Sequence, residues 1–477
     1  MPNYDKILKK VLRKIRPSKT ERKKLESLSK KTLEITDSFA KAFGARTILA
    51  GSITRDTWLP EKNEFDVFVL FPEDMEETKM EKQGLEIGKK VIKKLGGKFV
   101  IDYAEHPYVC GHVKGIDIDI VPAYELKNLE KIKSAVDRTP FHVKYIEQNL
   151  SLEQSDEVRL LKQFTKAVGV YGADAKTEGL SGYVCELLVI KYKTFLDVLR
   201  GVINWRPGEI IDIENFYTKE DYHKLRQQFK GNTLILIDPI DKNRNTTAAL
   251  SSENFFKMKK YTEIFLEKPS DKIFFPKKED PLSEKEFRKH VKHRQTKLLL
   301  IKFYPPKTVP DILWPQLRRF TERLKNILEE TKYEFKVLGK CVYADEKDFA
   351  VVLLEMEIFE LPFIQKRVGP KVFDFDDSRR FLKKYESVAI VGPYVENGFW
   401  VAEVRRKFLT AKEKLIDSLN KNADVLKAKG IPNMIADQID RKGFEVIDDL
   451  EKIVKLIKKH KDFAVFLRKY FEKECLK

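Results

Sequence analysis

GSITRDTWLPEKNEFDVFVLFP, residues Gly51–Pro72, decides how the rest of the chain is read. Its second half, EFDVFVLF, alternates at the start. Side chains two apart on a strand point the same way, so Glu64 and Asp66 share one face while Phe65, Val67 and Val69 take the other. Carboxylates side by side repel, and apolar neighbours deepen the penalty; a divalent cation removes it. The segment GIDIDIVP, Gly115–Pro122, repeats the pattern with Asp117 and Asp119 opposite Ile116, Ile118 and Ile120. One such strand alone reads best as solvent-facing acids on a half-exposed surface. Two of them, if neighbours, bring three or four carboxylates together.

Hard oxygen ligands of this kind suit Mg²⁺, which is held by one or two carboxylates, water and substrate phosphates. Two such ions, about 3.5–4 Å apart, activate a hydroxyl and steady a leaving pyrophosphate. The turn that opens the quoted stretch fits the same chemistry. Gly51 and Ser52 precede Glu64 by thirteen and twelve residues, with Arg55 close behind. Glycine lets backbone approach a triphosphate, and Ser52 and Arg55 supply donors for its oxygens.

Around this stretch the apolar spacing sets the organisation. Ser18 and Glu21 form a capping box; Leu25, Leu28, Ile35, Phe39 and Phe43 then recur at helical spacing until Gly44. Strands at Thr47–Leu49 and Glu64–Phe71, a helix at Lys79–Leu95, and strands near Phe99–Ala104 and Ile116–Val121 make a small α/β domain over residues 1–150. Residues 151–280 read as mostly helical and close on the lysine- and proline-rich EKPSDKIFFPKKEDP. Residues 281–477 change pattern. A strand at Lys297–Phe303, a helix at Leu313–Leu328, strands near Val337–Val342 and Phe349–Glu357, a helix at Ser378–Lys384 and a strand at Trp400–Arg405 follow the ferredoxin-like split βαβ order. A helical remainder with Ile447, Leu450, Val454 and Ile457 on one face ends the chain. The class is α+β, multidomain.

At 477 residues, about three domains are expected. Lys plus Arg number 92 against 74 acids, a net charge of +18 that attracts phosphate polymers as readily as it keeps a protein soluble. No run of eighteen apolar residues occurs, so no membrane span is expected. The basic start MPNYDKILKKVLRKIRP lacks a signal peptide's apolar stretch and reads as a first helix. Cys110, Cys185, Cys341 and Cys475 are too scattered for a metal framework and suit a reducing cytoplasm. GLEIGKK, Gly84–Lys90, lacks the spacing and final hydroxyl residue of a P-loop and sits in a helical pattern.

The Gly51–Pro72 stretch resembles the signature of the polymerase-beta-like nucleotidyltransferases, and within them the archaeal (class I) CCA-adding enzymes. AEHPYV, IDIDIVPAY, KIKSAVDRTPFH, EVRLLKQF, GVYGA, SGYVCELL and LIDPIDKNRN carry the likeness, densely to about residue 280 and then more thinly, with RVGP at Arg367–Pro370 still familiar. The resemblance implies a catalytic head, a helical neck, and a body and tail that hold the acceptor-TΨC half of tRNA. It implies metal binding by Glu64, Asp66 and Asp119, with Asp117 the weaker candidate. Nucleotide contacts fall on Ser52, Arg55, His142, Lys162 and Tyr171, with Arg244 helping to read the base edge. Read singly, His142 fits a structural histidine and Lys162 a solvated helix residue, while Tyr171 passes equally as packing and Arg244 as an exposed turn arginine. His106 matches a family histidine of unassigned role. The RNA 3′-hydroxyl would attack the α-phosphate of CTP or ATP, and pyrophosphate would leave towards Ser52 and Arg55. A homodimer is implied too. The rivals are a poly(A)- or oligoadenylate-type transferase, and an RNA-binding protein with a retired nucleotidyl domain.

Overall fold

The computed structural model describes residues 4–61, 63–103, 106–129, 132–330 and 334–473, in two compact units that divide after Lys277, inside the lysine- and proline-rich stretch. Cys475 lies outside the described residues, and Cys110, Cys185 and Cys341 are free thiols.

The first unit opens with helices α1 (Tyr4–Ile15) and α2 (Lys19–Ala40). Ser18 caps α2 as its spacing predicts: its hydroxyl accepts from Glu21 N–H at 3.2 Å, and the Glu21 carboxylate accepts from Ser18 N–H at 2.7 Å. Then come β1 (Arg46–Ala50), β2 (Glu64–Pro72), α3 (Glu77–Lys94), β3 (Lys98–Tyr103), β4 (Pro107–Val113) and β5 (Ile116–Glu125). They form a five-stranded sheet ordered β1-β2-β5-β4-β3, with β2 and β5 parallel.

Alternation decides which face is dry. Phe65, Val67 and Val69 of β2 and Ile116, Ile118 and Ile120 of β5 are fully buried in a core with residues of α2 and α3. The other face carries the acids and then Phe68, Leu70, Val121 and Ala123, packed with Val143 of α4 (Thr139–Asn149). The glycines of GLEIGKK lie inside α3, where they let the helix press on the sheet. A Cβ at Gly84 would meet Pro122 at 2.6 Å, and one at Gly88 would meet Val109 at 2.7 Å.

The rest of this unit comprises α5 (Ser155–Ala167), α6 (Gly182–Tyr192), α7 (Phe195–Asn204), β6 (Glu209–Ile211), α8 (Tyr222–Gln228), β7 (Leu234–Asp238), β8 (Asp241–Asn245) and α9 (Ser252–Glu267). Its core stacks Phe164, Phe195, Phe265 and Phe274 edge to face. The first helix, expected with the head, buries Leu8, Val11 and Ile15 in this second core. The mostly helical expectation also misses the three-stranded sheet β6-β7-β8. LILID of β7 is buried on every side, and a short continuous apolar run has no period to read.

The second unit contains α10 (Glu284–Arg294), β9 (Lys297–Phe303), α11 (Pro310–Leu328), β10 (Lys336–Ala344), β11 (Ala350–Ile358), β12 (Ile364–Lys371), α12 (Phe375–Tyr385), β13 (Ala389–Glu396), β14 (Phe399–Arg405), α13 (Ala411–Leu419), α14 (Ala423–Ala428), α15 (Asn433–Lys442), β15 (Phe444–Ile447), α16 (Leu450–Lys459) and α17 (Lys461–Phe471). The antiparallel order β10-β11-β9-β15 is the ferredoxin-like one, but its second half differs from the sequence assignment. The helix and strand expected at Ser378–Lys384 and Trp400–Arg405 belong to a separate sheet, β12-β14-β13, with α12 against it. The closing strand is β15, so Ile447 is a strand residue and not part of the final helical face.

Candidate active site

Glu64 of β2 pairs with Asp117 of β5, and Asp66 with Asp119. Residues paired in register present their side chains to one face, so Asp66 and Asp119 stand on adjacent strands with Glu64 two residues before Asp66. Burial pushes the Asp119 carboxyl above its ordinary range. The Cys110 thiol, donating from 2.9 Å on β4, opposes that shift, and the charges of Glu64, Asp102 and Asp117 add to it. Such crowding of like charge is what a bound divalent cation relieves, and an all-carboxylate donor set suits a hard one. Asp117 is exposed and engaged by His112 Nδ1 at 2.7 Å, which leaves it the outlying acid.

Gly51 begins the turn after β1 with φ +85°, in the left-handed region that favours glycine. A Cβ there would sit 2.9 Å from Asp66 Oδ2, so the absence of a side chain keeps the acid's place open. The turn is then anchored from the neck by Glu186 of α6, which is 1% exposed. Its carboxylate accepts from Thr57 Oγ1 at 2.6 Å, Arg55 Nη2 at 3.1 Å and Lys162 Nζ at 3.4 Å. Burial alone would push this carboxyl up; Lys162, Arg55 and Thr57 outweigh it and hold it below its ordinary value. Arg55 Nε is buried without a hydrogen-bond partner among the described residues, a donor suited to an anion.

These groups surround one cavity of about 370 Å³, within the usual range for a small-molecule cleft. Ser52, Arg55, Glu64 and Asp66 line it from the head, together with Thr139 and His142 of α4; Lys162, Tyr171, Gly182, Tyr183 and Glu186 line it from the neck. The sequence candidates thus meet, with two exceptions. Asp119 stands beside Asp66 outside the lining, and Arg244 also lies outside it, bound to Asp238 at 2.7 Å. Lys162 is almost wholly buried and already donates to Thr57 and Glu186, so part of its charge is spent inside the protein. Tyr171 packs its ring on the neck core, and a Cβ at Gly182 would lie 3.1 Å from its hydroxyl and 3.5 Å from Lys162 Nζ.

Sequence reading missed Glu186, Tyr183 and Asp238. A signal existed for the two acids: each is a charge in an apolar run, VCELLV and LILID, and a carboxylate there must be paired. His106 is buried, with Nδ1 3.0 Å from Glu81 and 3.5 Å from Glu77; among the described residues these three alone bring metal-type ligand atoms within 4.8 Å of one another. A histidine bridging two glutamates accounts for the arrangement. Of the basic segments considered for phosphate contact, KHVKHRQTK loses Arg294, which forks onto buried Glu355 at 2.6 and 2.7 Å.

Paired acids beside a cation-lined cleft, on a sheet of this order, make the chain a polymerase-beta-like nucleotidyltransferase. Family models agree domain by domain. A nucleotidyltransferase domain matches residues 29–142, the second domain of tRNA nucleotidyltransferases matches 156–275, and the C-terminal domain of CCA-adding enzymes matches 294–449. The chain is 35% identical over 465 residues to the CCA-adding enzyme of Methanosarcina acetivorans, covering 96% of this chain and 97% of that one. It is 39% identical over 397 residues to that of Methanocaldococcus jannaschii, covering 81% and 85%. Among solved structures, a cytoplasmic RNA terminal U-transferase is similar at TM-score 0.45 and 14% identity, covering 57% of this chain and 98% of that one. The chain belongs to the archaeal CCA-adding enzyme family. It adds CCA to tRNA by nucleotidyl transfer and uses a divalent metal.

Proposed function

We propose that the cavity between head and neck takes CTP or ATP, and that Glu64, Asp66 and Asp119 hold Mg²⁺ beside its triphosphate. What supports this reading is the parallel register that sets Asp119 next to Asp66, at the edge of a cleft that also gathers Ser52, Arg55, His142, Lys162 and Tyr171. When bound, the metal lowers the pKa of the attacking RNA 3′-hydroxyl and neutralises charge on the leaving pyrophosphate, as is general for two-metal nucleotidyl transfer. The protein's own groups supply the rest. Ser52 and Arg55 orient the triphosphate, with Arg55 Nε offering an unspent donor; Lys162 and the N-terminus of α6 at Gly182 add positive potential. His142 and Tyr171 contact the sugar and phosphates, and Arg244 reads the edge of the base.

In the same reading, residues of the second unit hold the acceptor-TΨC half of tRNA. The family resemblance also supports a homodimer, and a monomer mass in sedimentation at micromolar concentration would overturn that. Three free, widely separated thiols favour the cytoplasm, a placement that cell fractionation tests.

The deciding assay incubates tRNA ending at its discriminator base with labelled CTP, ATP and Mg²⁺, followed by end sequencing. C, C and A are expected, then arrest, with no product after chelation and recovery on adding Mg²⁺ back. An ATP-only tail would mark a poly(A)-type enzyme, and recovery with other divalent ions but not Mg²⁺ would overturn the metal assignment.

A further inference from the structure

Asp238 ends β7 with its side chain wholly buried. A carboxylate there has to be met by donors, and this one is met on both oxygens. Oδ2 accepts from His142 Nε2 at 2.9 Å and from Arg244 Nη1 at 2.7 Å. Oδ1 accepts from the Tyr183 hydroxyl at 3.1 Å and from Ile240 N–H at 3.2 Å. Burial alone would push this carboxyl up, but the hydrogen bonds and charges of His142 and Arg244 hold it below its ordinary value.

The side-chain donors come from three separate elements: α4 of the head, α6 of the neck and the strand β8. His142 and Tyr183 line the cavity with ring centroids 4.2 Å apart, whereas Asp238 and Arg244 stand outside its lining and Arg244 is joined to those two rings through the Asp238 carboxylate. A second tie runs alongside, from Arg138 Nε to Asp241 Oδ2 at 3.3 Å. Arg138 and His142 are one helical turn apart, so the DPID turn between β7 and β8 grips the start of α4 at two points.

We propose that Asp238 is a positioning residue for nucleotide selection: its shared carboxylate fixes the Arg244 guanidinium relative to His142 and Tyr183, and so sets where a base edge is read. This rests on the reading of Arg244 as a base-edge contact. A guanidinium with one nitrogen locked on a carboxylate holds its remaining N–H groups in a fixed plane. Released, the same side chain samples many rotamers and meets wrong bases as easily as right ones.

The test uses the full-length enzyme and tRNA primers, with CTP and ATP as correct nucleotides and UTP and GTP as wrong ones. Asp238→Asn is expected to lower the ratio of correct to wrong incorporation about 10–100-fold, the scale on which removal of a partner that orients a metal ligand is felt. KM for CTP and ATP should rise more than kcat falls, with tRNA affinity unchanged. Arg244→Ala should lose the same selectivity, and the double variant no more than either single one, because both changes remove one device. Intact selection in Arg244→Ala would sink the base-reading role of that arginine. Relaxed selection there with wild-type selection in Asp238→Asn would overturn the proposal alone, as would an equal loss of kcat for right and wrong nucleotides. If Asp238→Asn does not fold, Tyr183→Phe removes one donor to the same carboxylate and keeps the ring. It should relax selection in the same direction, and unaltered selection overturns the proposal.

Discussion

Asp66→Asn and Asp119→Asn are each expected to lower nucleotide incorporation by about 10²–10³-fold, the scale on which loss of one preorganised electrostatic contact to a reacting group is felt. The same substitutions should leave the thermal midpoint of the metal-free protein unchanged or raise it. The reason is the crowding at the β2–β5 register. Asp119 is held in a half-buried position where burial and the charge of Glu64 both disfavour its ionised form, so removing a carboxylate relieves repulsion that folding must otherwise overcome. Metal binding separates function from folding. Mg²⁺ stabilises whatever state binds it, so added Mg²⁺ should raise the midpoint of the wild type and leave that of either variant nearly still. Filter binding of tRNA should change little. Retention of a tenth of wild-type activity by Asp119→Asn, or a drop of several degrees in its midpoint, would remove that residue from the metal site.

How far the chain was readable follows from which contacts are local. The acids of β2 and β5 were legible because a period of two assigns faces within a single strand, and the buried partners Phe65, Val67, Ile118 and Ile120 are in the same segments. Their adjacency was not legible from either segment, since it depends on a parallel pairing across α3, β3 and β4. β4 itself, PYVCGHV, carries a proline, a glycine and a histidine and gives little strand signal; neighbours on both sides make it a strand. β15 has the sequence pattern of a helix because Ile447 falls three residues before Leu450 and in phase with Val454 and Ile457, and only pairing with β9 overrides that phase. The ferredoxin-like order was right for the fold and wrong for its second half. The inserted β12–α12–β13–β14 block repeats the strand–helix–strand order, which spacing cannot tell from the true closing elements. Arg244 is the comparable case in the site: its place is set by Asp238, six residues away in sequence but turned back by the DPID corner.

Glu186→Ala is expected to be the opposite kind of variant, losing stability first and activity as a consequence. Glu186, Lys162 and Arg55 are 1%, 4% and 11% exposed in their side chains, and Thr57 completes the set. Deleting the carboxylate strands two cations in a region water scarcely reaches, and breaking such a pair from one side costs about 3–5 kcal/mol. It also removes the tie of the Thr54–Thr57 segment to α6, leaving that segment held to the neck through α5, by Ser155 on the Arg55 carbonyl, Arg159 on Asp56 and Lys162 on Thr57. A chemical denaturation curve should therefore shift strongly to lower denaturant, with nucleotide affinity falling too. Charge, rather than shape, is the cause if Glu186→Gln shares most of the loss. The discriminating variant is Glu186→Gln combined with Lys162→Met, which removes the carboxylate's charge and the more deeply buried of its two cations, leaving Arg55 alone without its charged partner. Replacing a whole buried pair with neutral groups is often close to neutral for stability, so the double variant should recover most of the midpoint. It should not recover incorporation, because the cavity then lacks the Lys162 charge and a fixed Arg55. Recovery of both would make the cluster purely structural and take Lys162 out of the nucleotide site. Recovery of neither would mean that Arg55, still facing an uncharged partner, is the cation whose desolvation dominates.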